Sequence, residues 1–134
     1  MCNKIHHNSF PIKGYGYGYK IIDVTDAGTL MPCFNYYHHH IYLKEICGWI
    51  NWNERKVKPH SENIGFCLFK ELYDARVVLR KVSHNAVGSN LKTMIFRVQY
   101  AEGICLNMED SILSKGRVFP TILAKSFRLL ERIK

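Results

Sequence analysis

No apolar run in the sequence approaches the roughly 18–20 residues that a membrane-spanning helix needs. The first residues, Met1-Cys2-Asn3-Lys4-Ile5-His6-His7, are not followed by the apolar core of a signal peptide. A chain with neither feature is expected to stay in the cytoplasm, the host cytoplasm if viral, and no membrane partner is expected. There is no G-x4-G-K-[ST] loop, no G-x-G-x-x-G between a strand and a helix, and no G-x-S-x-G elbow. Paired carboxylates occur at Glu109-Asp110, yet neighbours in sequence point apart on most backbones. No catalytic residue is assigned, and the balance leans away from an enzyme. Cysteines number five, at irregular spacing, which suits reduced thiols packed as small hydrophobes rather than a disulfide framework.

Acidic residues are also scarce, 11 Asp and Glu against 19 Lys and Arg, so the formal charge is +8. A basic excess of this size suits a polyanionic partner: nucleic acid, a ribonucleoprotein or an acidic protein surface. The competing reading is a merely solubilising surface charge. Aromatics are plentiful at 13%, which argues for a folded chain. At 134 residues, the chain has the size of one domain with a continuous core.

The polar stretch over 1–13 is expected to be a loose arm, and 14–134 a single domain. Tyr19–Val24 reads as a strand of aromatic and β-branched residues. Asp26-Ala27-Gly28 reads as a turn, and Thr29–Tyr37 as an extended piece where Pro32 requires an edge or a break. Ile41-Tyr42-Leu43 reads as a further short strand, and 53–63, charged and holding Pro59, as an exposed loop. Ile64–Phe69 is an apolar run of strand length. From about 70 to 82, Leu72, Ala75, Val78, Leu79 and Val82 share one helical face. Met94, Phe96, Val98 and Tyr100 alternate with polar or β-branched neighbours over 93–100, which predicts a strand. Ala101-Glu102-Gly103 reads as a turn returning through Ile104–Leu106, and Asn107 as the cap of a short helical turn. The segment 118–133 fits helix or strand, with periodicity slightly favouring helix. The sum is an α+β domain, a small antiparallel sheet packed by one main helix.

Gly65-Phe66-Cys67-Leu68-Phe69 followed by Asp74-Ala75 resembles a Gly-Phe-His-x-Phe…Asp-Ala pattern in small proteins, many of them from phages and mobile elements. Gly18-Tyr19-Lys20 and Ala124-Lys125-Ser126-Phe127-Arg128-Leu129-Leu130 are similar to their opening strand and closing segment. Cys67 stands where those proteins usually carry His. The resemblance implies a small α+β domain, a phage origin, and strand rather than helix near the end of the chain. It carries over no catalytic residue.

Candidate binding residues come from aromatics beside basic residues, the composition that single-stranded nucleic acid sites and protein hot spots both use. Tyr15, Tyr17 and Lys20 form one group; Trp52, Arg55, Lys56 and Lys58 form the other. Trp49, behind an apolar stretch, reads as core. Cys33, His38, His40 and Cys47 offer zinc ligands, but C-x4-HHH-x6-C is not the close-paired spacing of a structural zinc site. No cofactor is therefore expected, with zinc as the exception to test.

The function expected is non-catalytic: binding a ribonucleoprotein, nucleic acid or acidic protein, of which inhibition of a host defence system is one form. The alternatives are a sequence-independent nucleic-acid-binding module and a small enzyme acting on a nucleotide or nucleotide-derived cofactor. Aromatics at the surface and an edge near Pro32 also make a homodimer an expectation.

Overall fold

The computed structural model describes residues 4–24, 30–32, 48–51, 66–85, 92–109 and 118–133. In chain order the elements are β1 (Lys4–Val24), β2 (Leu30–Pro32), β3 (Ile50–Asn51), β4 (Phe66–Phe69), α1 (Leu72–Asn85), β5 (Lys92–Glu109) and β6 (Val118–Ile133). Three strands of 21, 18 and 16 residues dominate, and every strand pairing is antiparallel.

β1 runs along β5 from Lys4↔Glu109 to Val24↔Lys92. β5 in turn runs along β6 from Glu109↔Val118 to Ile95↔Ile133. On its other side β6 takes β4, through Phe66↔Ala124 to Phe69↔Thr121, and then β3. β4 reaches back to β1 at Tyr19↔Phe69. The neighbours β1, β5, β6 and β4 therefore close into a circuit, which leaves β2 and β3 as short outer strands. Pro32 lies in β2, opposite Ile22 of β1.

A closed circuit has an inside. Strand alternation sends Ile22, Phe66, Leu68, Phe96, Val98, Tyr100, Ile122, Ala124, Phe127 and Leu129 into one buried cluster fed by all four strands. Phe66 and Phe127 meet there edge to face, with ring centroids 4.9 Å apart. The opposite face carries a second cluster. Ile21, Phe69, Ile95 and Phe119 are covered by Ala75 and Val78 of α1, flanked by Tyr19, Leu72, Leu79 and Ile133. α1 thus buries its apolar stripe on the outside of the circuit, and Asp74 in its first turn suits the helix dipole.

The Gly-Tyr alternation has a steric reason. On β1 the glycines point inward and the tyrosines outward. A Cβ on Gly16 would fall on the Tyr100 ring and hydroxyl. A Cβ on Gly18 would sit 2.9 Å from the Phe69 carbonyl oxygen, on the strand that closes the circuit. Gly14, at φ +78°, occupies an irregularity between Ile12 and Tyr15 where β1 has one residue more than β5. Glu102, at φ +52°, lies opposite in β5.

Several expectations are corrected here. Over the described residues the chain is an antiparallel β assembly with one 14-residue helix as a minor element, not an α+β domain of a small sheet packed by one main helix. Residues 4–13, expected as a loose arm, are the first part of β1 and pair with β5. Ala101–Gly103 is not a turn: β5 passes through it, and Ile104–Leu106 continues the strand instead of folding back. Asn107 lies in the same strand and starts no helix. The segment 118–133, left between helix and strand, is β6. The physical cause is common to these. Irregularities beside Gly14 in β1 and Glu102 in β5 interrupt the alternation, the inward residues Ala124 and Phe127 of β6 are three apart, and β6 is buried on both sides over much of its length, so a regular period-two signal is absent. The expected elements over 26–28, 33–37, 41–43 and 53–63 lie outside the described residues.

Gly16→Ala is expected to destabilise the fold by about 1–3 kcal/mol, the usual effect of overpacking. Chemical denaturation measures it. Shortening Tyr100 in the same chain should return part of the loss, because the clash is with that ring.

Candidate binding face

Beyond α1, the outward side chains of β1, β5 and β6 form rows set by register. One row is Tyr17, Gln99 and Arg128; the next is Tyr19, Arg97 and Glu131; another is Tyr15, Ala101 and Ser126. Trp49 precedes β3, whose Ile50 pairs with Phe127, and this brings the indole beside Arg128.

These side chains touch in a specific way. The Arg97 guanidinium lies over the Tyr17 ring, 4.7 Å from its centroid. The Arg128 guanidinium lies over Trp49 at 5.3 Å. Tyr15 and Trp49 meet at 5.8 Å with planes tilted by 53°. Arg128 Nε donates to Gln99 Oε1 at 2.7 Å, which fixes the guanidinium plane. Arg97 Nη1 lies 3.8 Å from Glu131 Oε1, a long and exposed pair worth at most about 1 kcal/mol. Cation–π contacts at exposed sites contribute about 0.5–1 kcal/mol each, enough to bias the two guanidinium orientations. The rings nonetheless stay wet: Tyr15 is 69% exposed, Tyr17 55% and Trp49 39%.

Tyr15 and Tyr17 therefore stand together on one face, while Lys20 does not join them. Lys20 points into the circuit and is only 9% exposed. Its Nζ donates to the Cys67 carbonyl at 3.0 Å and lies 5.6 Å from the centre of the Phe127 ring. Its place is set by parity: Gly16, Gly18, Lys20 and Ile22 share the inward side of β1. Trp52, Arg55, Lys56 and Lys58 lie outside the described residues, as do Cys33, His38, His40 and Cys47. Among the described residues there is no group of three or more His, Cys, Asp or Glu able to hold a metal. Among the same residues no helix is long and apolar enough to cross a membrane.

Three members of the face escape a reading of sequence alone. Trp49, expected in the core, is at the surface. Arg97 was within reach, since it alternates with inward Phe96 and Val98, but nothing local says that Tyr17 lies across from it. Arg128 depends on 118–133 being a strand.

Two titratable groups near the clusters are perturbed. Burial pushes the Asp23 carboxyl up from its ordinary value, and the hydrogen bond from Thr93 Oγ1, at 2.9 Å, opposes this more weakly. Burial also pushes the Tyr100 phenol up, with the nearby Cys105 thiol adding to the effect.

No protein family, curated protein or solved structure matches the chain.

Lys20→Ala is expected to cost about 2–4 kcal/mol of stability, because it opens space in the core and takes a donor from the half-buried Cys67 carbonyl. The same variant should leave affinity for polyanions unchanged; denaturation and a binding titration check the two halves separately. The folded chain binds the Asp23 proton more tightly than the unfolded chain does, whose carboxyl titrates near 3.8. The stability this contributes is complete below that value and fades as pH rises through the higher native one. Asp23→Asn should therefore be more stable than the parent at neutral pH, and acidification should close the gap. Melting temperatures of both proteins across acidic to neutral pH report it.

Proposed function

We propose that this protein is a non-catalytic binding protein that holds a polyanionic partner against the face of Tyr15, Tyr17, Trp49, Arg97 and Arg128. The observation that carries this reading is the seating of two guanidinium groups on exposed rings. A guanidinium stacked by one plane keeps its remaining N–H groups at its edge, where they can meet phosphate or carboxylate oxygens. Arg is also less strongly hydrated than Lys, so closing a partner over it costs less. The overall charge of +8 adds long-range attraction, which raises encounter rates and weakens with salt.

The ring surface supports the same reading. Exposed Tyr and Trp beside Arg are the residue types that dominate binding energy at protein surfaces. A solubilising charge alone would be as well served by lysines on mobile stems, with the rings turned inward.

The test compares two double variants that lose equal charge. Arg97→Gln with Arg128→Gln alters the face. Arg76→Gln with Arg80→Gln alters exposed positions on α1. On a heparin column the first pair is expected to elute at clearly lower salt than the second. Co-elution of the two, with unchanged circular dichroism, would remove the basis for this face.

A further inference from the structure

Resting on that reading, we infer that the polyanion is single-stranded nucleic acid and that its bases, not only its phosphates, are held by Tyr15, Tyr17 and Trp49. Phosphates alone need cations, and cations are spread over the chain. This face differs from the rest of the described surface by its ring area. Tyr15 and Tyr17 leave most of their surface in water although inward positions are one residue away along the same strand. Inward, however, the space at 16 and 18 is taken by Tyr100 and by the β4 backbone, so only glycine fits there. The tyrosines are thus displayed outward by a strand whose inward side is closed to them.

What can cover such rings follows from shape. In a duplex the bases are stacked on each other and show only their edges in the grooves. Unpaired bases offer flat faces, and a base on an aromatic ring gains affinity whatever its identity. Residues two apart on a strand rise about 6.6–6.8 Å. That is twice the roughly 3.4 Å step between stacked bases along one strand. The spacing of Tyr15 and Tyr17 is therefore commensurate with every second base step. Trp49, 5.8 Å from Tyr15, extends the ring surface toward β3.

The polar groups fit the same ligand. Arg128 has its Nε committed to Gln99, which leaves its terminal nitrogens for a phosphate. Ring stacking and phosphate contacts carry no base identity. The binding is accordingly tolerant of sequence. Glu131 beside Arg97 is the acid paired with an arginine of this face among the described residues, and its separation of 3.8 Å makes displacement by a phosphate inexpensive.

The experiment is a fluorescence-anisotropy titration with four dye-labelled probes of about equal charge, near twelve nucleotides in length where they are nucleic acid. They are single-stranded oligothymidylate, its abasic counterpart with the same phosphates, a duplex, and polyglutamate. The inference expects oligothymidylate to bind at least about tenfold more tightly than the abasic strand. Tyr17→Ala and Trp49→Ala should each narrow that ratio while leaving abasic affinity nearly unchanged. Arg128→Gln should lower the slope of log affinity against log salt by about 0.7, the share of one single-strand phosphate contact. Equal affinity for the oligothymidylate and abasic strands, or a preference for duplex or polyglutamate, overturns the inference and leaves the polyanion reading standing. Failure of all four probes to bind overturns both.

Discussion

β1 and β4 approach each other closely where they pair. Gly18 lies against the Phe69 carbonyl, and this contact joins the two ends of the four-strand circuit. If any side chain stood at 18, the strands would separate and the cluster of Phe66, Leu68, Phe96, Phe127 and Leu129 would lose one wall. Gly16 makes the matching allowance for Tyr100 one pair further along. The inward face of β1 is therefore as thin as a strand can be, and the other strands fill the volume with large residues. A core of this kind depends on matched thickness, so its tolerance for added methylenes is low.

The same constraint shapes the surface. Alternation obliges the residues between thin inward positions to point out, and these are Tyr15, Tyr17 and Tyr19. Tyr19 is partly covered beside α1; the other two are not. Core closure and ring display are two sides of one strand. The contrast between Lys20 and the arginines fits this division. The lysine, on a flexible stem, reaches a backbone carbonyl inside the circuit, while the planar guanidiniums lie flat on rings outside it.

Much of this was legible in residues, but in fragments. The spacing of Leu72, Ala75, Val78 and Leu79 marks the face that α1 buries, and Phe96, Val98 and Tyr100 mark the inward side of β5. The aromatic pair Tyr15 and Tyr17 was visible as a binding candidate. What was not legible is range. A strand of 21 residues with a displaced phase near Gly14 looks like a polar arm followed by a short strand. Glu102 and Gly103 look like a turn because their residue types favour one, although the chain runs straight on between two partners. Trp49 follows an apolar run and so reads as interior, whereas it precedes an outer strand of two residues. Lys20 reads as a surface cation because inward lysines are rare. Each of these errors comes from a neighbour distant in sequence, which no local period records.

The pairing of β1 with β5 also bears on how the chain acquires its shape. Lys4 meets Glu109, and Val24 meets Lys92, so the first strand has its principal partner 68 to 105 residues further along the chain. Among the described residues before β5, β2 covers Ile22 to Val24 and β4 meets Tyr19. During synthesis the Tyr-rich strand is made well before β5, its principal partner among the described residues. Such long-range pairing slows folding and lengthens the interval in which an open strand can find another copy of itself. The distance along the chain between β1 and β5 therefore bears on how fast the domain forms, as the depth of its core bears on how well it holds.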